Sequence, residues 1–321
     1  MSFDSLRLYR YSVRLVFERG LDVPPQGRGV LFRGAFGTEF RRLACHDIEL
    51  DCKKCILSAS CPYPAAFRPE LTLPDVPIAR LREPPRPFVL SDPLPESDAL
   101  PAGRPVSLAL TVVGEKHRLL PHFAATLRRL GEVGMGRQRA RFKVESIHAV
   151  DASDVPREEI WRDGASVVRP RGVPMTANDL TRRGDTEARR LRVRYRTPTS
   201  LRANGVPQER PSFGVLLRRI RDRVSALAVF YGDGPLDIDI EGIARKADGI
   251  TTIAAVFRRA SWRRTSARTK QKHPIEGVIG EAVYEGEGLG ELMPLLRLGE
   301  VLHVGKHASF GNGRIDVEVL G

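Results

Sequence analysis

A chain of 321 residues can bury a sizeable core, enough for one large domain or two medium ones. Its formal net charge is +13, and only eight of its 52 basic residues are lysine, so arginine carries the excess. Arginine offers phosphate a fixed fork of donors, which points to a nucleic-acid partner. No run of about eighteen apolar residues exists to cross a membrane, and MSFDSLRLYRYSVRLVFERG lacks a signal-peptide core. These features predict a cytoplasmic protein without a membrane partner.

In chain order, SLRLYRYSVRLVFE alternates as a strand through Leu6, Leu8, Tyr11, Val13, Leu15 and Phe17. After the turn PPQGRG, the segment LFRGAFGTEFRRLAC spaces its apolar residues at helical intervals. A cysteine-rich segment and a Pro-rich stretch from Pro62 to Pro105 follow, the latter with short extended pieces such as RPFVL. RPVSLALTVVG predicts a strand, HRLLPHFAATLRRLG a helix in spite of Pro121, and ARFKVESIHAV another strand. From Asp151 to about Arg190 the composition turns polar, as in a linker or insertion. LRVRYRTPTSLR restarts as a strand, and FGVLLRRIRDRVSALAVFYG is a helix. ITTIAAVFRRASWRRTSARTKQK is a strand with a basic extension, followed by the strand GVIGEAVYEG, the helix LGELMPLLRLGE and the closing strand RIDVEVLG.

An internal match bears on the architecture. TLRRLGEVGMGRQRARFKVESI and LLRLGEVLHVGKHASFGNGRIDVEVL share the order apolar helix, Leu-Gly-Glu, Gly-rich loop, basic residue, strand. Repeated supersecondary order suggests duplication, and each half holds enough elements for a β-α-β-β-α-β unit. The expected organisation is an α+β chain with an N-terminal domain at 1–150, a linker or insertion at 151–190 and a C-terminal domain at 191–321.

All four cysteines fall in CHDIELDCKKCILSASC, spaced C-x6-C-x2-C-x5-C. In a cytosolic protein Cys45, Cys52, Cys55 and Cys61 suggest a metal site sooner than two disulfides. Four thiolates suit a structural zinc, an iron–sulfur cluster uses the same ligands, and neither leaves an open position for catalysis. Near the C-terminus, GEVLHVGKHASFGNGRIDV fails as a nucleotide loop. Five residues separate Gly299 from Gly305, and His307 follows Lys306 where a P-loop needs Ser or Thr. What remains is a glycine-rich loop in which Gly305, Gly311 and Gly313 can bring amides to a phosphate, with Lys306, His307 and Arg314 supplying charge. A basic segment, FRRASWRRTSARTKQKH, gathers Arg258, Arg259, Arg263, Arg264, Arg268, Lys270 and Lys272 around Trp262, which can stack on a base or fill the core. Such a hairpin laid along A-form RNA would read shape more readily than sequence.

RGAFG ahead of the cysteines, the CPY at Cys61–Tyr63, S-x-R-x-K at Ser266–Lys270 before GVIGEAVYEG, and HVGKHASFGNGRIDV together resemble the CRISPR-associated RAMP superfamily. Within it they are most similar to the endoribonucleases that process precursor CRISPR RNA. The resemblance implies tandem ferredoxin-like (RRM-like) domains, here with a cysteine-rich metal-binding insertion, and binding of CRISPR repeat RNA. It also implies cleavage without a catalytic metal, the 2'-hydroxyl attacking the adjacent phosphate. Relatives often carry a histidine early in the first helix, but this chain reads Gly37-Thr38-Glu39 there. His46 lies eight residues beyond Thr38, about 12 Å along a continuous helix. His46 and His307 are therefore the candidate bases, Lys306 the candidate for the phosphoryl charge, and Arg33 a candidate RNA contact. The missing histidine keeps open a non-cleaving RAMP subunit that holds guide RNA among other CRISPR effector subunits.

Overall fold

The computed structural model describes residues 2–73, 83–91, 99–265 and 272–320. The chain forms two compact units, one of residues 7–174 with 230–232, the other of residues 1–6, 175–229 and 233–321.

In the first unit β1 (Leu8–Phe17) leads to α1 (Pro25–Ala44) and the short α2 (Pro62–Phe67). Next come β2 (Phe88–Ser91), β3 (Pro105–Val113), α3 (Leu120–Val133), β4 (Phe142–Val150) and β5 (Pro156–Arg162). The antiparallel sheet runs β2-β3-β1-β4-β5. Without β5, this is a β-α-β-β-α-β unit with the fourth, first, third and second strands side by side. Tyr11, Val13, Leu15 and Phe17 share one face of β1 because strand side chains alternate, and they anchor the core. Phe36 and Phe40 of α1, Phe67 of α2, Phe88 of β2 and Phe123 of α3 pack edge to face or tilted, with centroids 5.1–6.2 Å apart. Pro121 falls in the first turn of α3, where its missing N–H costs no helical bond.

The second unit repeats the order. β6 (Arg190–Thr199), α4 (Phe213–Tyr231), α5 (Ile240–Asp248), β7 (Thr251–Thr265), β8 (Lys272–Glu285), α6 (Leu289–Leu302) and β9 (Ile315–Leu320) give the antiparallel sheet β7-β8-β6-β9. At its core the Tyr195 and Tyr284 hydroxyls lie 2.9 Å apart, and Tyr284 donates onward to the Pro211 carbonyl at 3.1 Å. Burial pushes the Tyr284 phenol up to about 12, so both rings stay neutral and hydrogen-bonded.

Residues 151–190, expected as a linker or insertion, are divided between the units. Pro156–Arg162 extends the first sheet as β5, paired with β4, and residues from Met175 onward belong to the second unit. Asp185 is buried there against Arg297 of α6, at 2.6 Å.

Candidate nucleic-acid interface

The glycine-rich loop connects α6 to β9 and rests on the end of β6. Lys306 N–H donates to the Ser200 carbonyl (3.1 Å) and Gly313 N–H to Pro198 (3.2 Å). Thr197 Oγ1 donates to the Gly311 carbonyl (3.0 Å) and accepts from Arg314 N–H (2.9 Å). Gly305 and Gly313 adopt φ +80° and +70°, and a Cβ there would meet Ser200 O at 2.5 Å and Val304 O at 1.8 Å. Only glycine fits such a left-handed, crowded backbone. The expectation that glycine amides face a phosphate therefore needs correcting at two positions. Gly311 N–H is bonded to Ala308 O and Gly313 N–H to Pro198 O, inside the unit. These glycines shape the loop.

What the loop presents is side chains. Lys306 is exposed. His307 is half-buried at φ +66°, its ring 5.7 Å from Phe310 and edge-on to it. Arg314 is half-buried with its Nε 3.7 Å from Asp316. His303 is buried beneath the loop with Nδ1 3.1 Å from the Asn312 carbonyl. Asn312, to which the sequence reading gave no role, is buried, and its side-chain Nδ2 has no partner among the described residues.

The basic segment lies on the β7–β8 hairpin. Arg258 and Arg259 are exposed on opposite faces of the edge strand, and Arg259 pairs loosely with Glu209 at 3.3 Å. Trp262 is half-buried opposite Ile275. Arg263 and Arg264 pair in register with Pro274 and His273, and Lys272 with Thr265, at the end of the hairpin where the chain passes from β7 to β8. Arg268 and Lys270 lie outside the described residues.

Two candidates from the first unit change character. Arg33 does not offer a free guanidinium: it is 7% exposed, with its Cζ 4.7 Å from the centre of the Phe67 ring. Cation–π packing makes it part of the aromatic core, not an RNA contact. His46 follows α1, which stops at Ala44, and is exposed at the rim of a cavity of about 180 Å³. The same cavity is lined by Cys45, Cys52, Cys55 and Cys61, all free thiols. Burial pushes the Cys61 thiol up, and the charges of the other three act in the same direction.

His122 is one of several histidines that sequence reasoning did not single out. His122 in the first turn of α3 stacks on Phe40, with centroids 6.1 Å apart at 30°, and burial holds its imidazole below the ordinary histidine range. Its Nδ1 has no partner among the described residues. Nothing in HRLLPHF marks it out, because the ring's neighbour comes from α1, eighty-two positions away.

Among the described residues no helix is long and apolar enough to cross a membrane. Two family models match the chain. One described as an N-terminal domain covers residues 6–173, and the CRISPR-associated endoribonuclease Cas6 model covers 193–315. A protein of Archaeoglobus fulgidus described only as uncharacterized is 27% identical over 320 residues, 98% of either chain. A product complex of Cas6 from Thermus thermophilus covers 97% of this chain and 100% of its own at a TM-score of 0.52 and 16% identity. A second Cas6 product complex covers 97% and 99% at 0.50 and 18%. A chain of a partial Cas6-RT-Cas1–Cas2 complex covers 99% of this chain and 47% of its own at 0.57 and 11%. At these identities the likeness is one of fold.

Proposed function

We propose that the chain is a CRISPR-associated RAMP protein, as the match of residues 193–315 to the Cas6 endoribonuclease model supports, and that it cleaves precursor CRISPR RNA at its repeats. Cas6 relatives are endoribonucleases, and we read the two units as tandem ferredoxin-like domains, as their element order supports. The observation that carries the reading is the glycine loop, inside the span matched by the Cas6 model, where a hydrogen-bonded backbone carries the exposed Lys306 beside the half-buried His307.

The proposed reaction needs no catalytic metal. A base takes the proton of the ribose 2'-hydroxyl, whose oxygen attacks the adjacent phosphorus. The bond from phosphorus to the 5'-oxygen breaks, and a general acid protonates the departing oxygen. One product ends in a 2',3'-cyclic phosphate, the other begins with a 5'-hydroxyl, and nothing is oxidised or reduced. His307 or His46 serves as the base, a role typically worth about 10²–10⁴ in rate. Lys306 offsets charge on the phosphoryl oxygens. Between the two histidines, the loop supports His307, since His46 sits among four thiols. The RNA partner extends to CRISPR assemblies, as one structural relative comes from such a complex.

One observation favours a second reading, a non-cleaving subunit that holds guide RNA. Where relatives often carry a histidine in the first helix, Glu39 is buried here, its Oε1 2.5 Å from Arg42. Single-turnover assays of repeat RNA at saturating protein in excess EDTA, each paired with a binding assay, separate the readings. Cleavage to a cyclic phosphate is expected, with His307→Ala losing rate while keeping affinity, as for a group used in the transition state. Loss confined to His46→Ala would put the base beside the cysteines. Tight binding without cleavage by the wild type would leave the guide-RNA subunit.

A further inference from the structure

The segment between α1 and α2 is built inside out. Ile56 is 95% exposed, Leu57 51% and Ile48 47%, so its large aliphatic side chains face water. From Cys45 to Tyr63 the one buried residue is Cys52, at 7%. A loop that turns its aliphatic groups outward and buries only Cys52 gains little from hydrophobic burial. Polar clips hold parts of it. Arg41 donates to the Leu50 carbonyl (2.9 Å), Arg68 pairs with Asp51 (3.0 Å), and the Asp51 carboxylate accepts from Lys53 N–H (3.0 Å). These clips lie around a cavity whose lining includes all four cysteines.

The positions of the cysteines in the elements are equally specific. Cys45 caps the C-terminus of α1 and Cys61 the N-terminus of α2. Cys52 and Cys55 flank a single tight turn closed by Cys55 N–H donating to Cys52 O at 3.3 Å. That turn is the short knuckle through which two sulfurs of a C-x2-C pair can share one ion.

From this convergence we propose that Cys45, Cys52, Cys55 and Cys61 bind one tetrahedral divalent zinc ion, which clips the end of α1 to the start of α2. Thiolate is the soft donor that selects zinc over hard cations, and four such ligands make a closed structural site, with no part in RNA cleavage. Binding releases the thiol protons to solvent and leaves a site of formal charge −2, beside the exposed Lys53 and Lys54. Among the described residues no three potential ligands stand at metal-binding geometry, and Cys45 Sγ is turned to the Asp47 carbonyl at 2.9 Å. Zinc must therefore draw the sulfurs in to about 2.3 Å, with Cys45 leaving Asp47.

The test needs no RNA. Elemental analysis of protein purified without added metal is expected to find about one zinc per chain. Titrating the thiols with a mercurial should release it to a chromogenic chelator as the sulfurs are consumed. Cys52→Ser and Cys55→Ser should each lose the metal and melt at lower temperature. If those variants fail to fold, the wild-type measurements decide alone. Zinc-free wild type that also gives no thiolate-to-metal absorption with added Co²⁺ would overturn the proposal. So would iron with inorganic sulfide and broad visible absorption, which marks a cluster, or a folded Ser variant that retains full zinc.

Discussion

Arg297 is the most heavily committed side chain of the second unit. From α6 it donates to both carboxylate oxygens of Asp185 (3.0 and 2.6 Å), to Glu300 (2.9 Å) and to the Val317 carbonyl (2.8 Å). It ties the loop before β6 to α6 and β9. A buried ion pair adds little net stability over a well-packed apolar core, but removing one partner strands the other's charge. Arg297→Ala is therefore expected to cost about 3–5 kcal/mol by chemical denaturation. Arg192→Ala, whose half-buried side chain pairs with the exposed Glu281 and Glu318, should cost about 1 kcal/mol. The pair also sets a pH dependence. Burial pushes the Asp185 carboxyl up, but the hydrogen bonds from Arg297 and from Arg182 N–H outweigh it and hold the carboxyl below the usual aspartate range. Because the folded pKa is the lower one, its stabilisation is present above the unfolded value of about 3.9. It is lost as pH falls through the folded value. Stability curves of wild type and Asp185→Asn should be fully separated above about pH 4 and converge only as pH falls through the lower, folded value.

At the scale of elements, the glycine loop behaves as a fixed turn, and Gly313 tests that. Alanine there would meet both a positive φ of 70° and the Val304 carbonyl at 1.8 Å. Gly313→Ala is expected to destabilise the protein by more than the roughly 1 kcal/mol of an unstrained exchange. RNA affinity should fall with it, read in parallel by thermal melting and a binding assay. Elements of strong period were legible in the sequence: β1, β3, α3, β4, β6, α4, β8, α6 and β9 fall where the apolar pattern puts them, whereas α1 begins at Pro25 and takes in most of PPQGRG, expected as a turn, because proline is tolerated in a first helical turn. The Leu-Gly-Glu match also marks real equivalence, since α3–β4 and α6–β9 hold the same place in their units. Its glycines allow close packing in both, a Cβ at Gly131 meeting Phe142 O at 2.1 Å and one at Gly299 meeting Ile220 Cδ1 at 2.7 Å. The glutamates diverge: Glu300 accepts from Val317 N–H at 2.7 Å while Glu132 is exposed. β5 was illegible because PREEIWR is an edge strand with mostly polar residues, and α5 because IEGIARKAD, although amphipathic, is only nine residues long and buries only Gly242, Ile243 and Ala247. Arg33 misled for a different reason. Its ring partner Phe67 lies beyond the cysteine loop, so only tertiary packing shows that the cation is taken. That the four cysteines line one cavity agrees with their close spacing, whereas the outward aliphatics around them were not legible.

Across the whole molecule, a net charge of +13 says nothing about where the positive field lies. Arg190, Arg192, Arg194 and Arg196 alternate along β6 and so share one face of the second sheet. Each has a carboxylate neighbour: Glu285 for Arg190, Glu281 and Glu318 for Arg192 and Arg194, and Asp316 for Arg196. That face is a cross-strand ladder of mixed charge, unlike the aromatic platform on which an RRM stacks its bases. The excess charge available to RNA then falls to the β7–β8 hairpin and to Lys306, where exposed Arg258 and Lys306 carry no ion pair among the described residues. The two surfaces give opposite expectations for salt dependence, because each phosphate that a cation ceases to neutralise takes about 0.7–0.9 from the slope of log K against log salt. Replacing Arg263, Arg264 and Arg268 together with alanine should weaken repeat-RNA binding and flatten that slope by about 2. Replacing Arg192 and Arg194 together should leave the slope within error, since those guanidiniums neutralise glutamates and release no RNA counterions. Fluorescence anisotropy with repeat RNA at four or more salt concentrations measures both. An unchanged slope in the hairpin variant, with a flattened one in the ladder variant, would move the RNA from the hairpin onto the sheet.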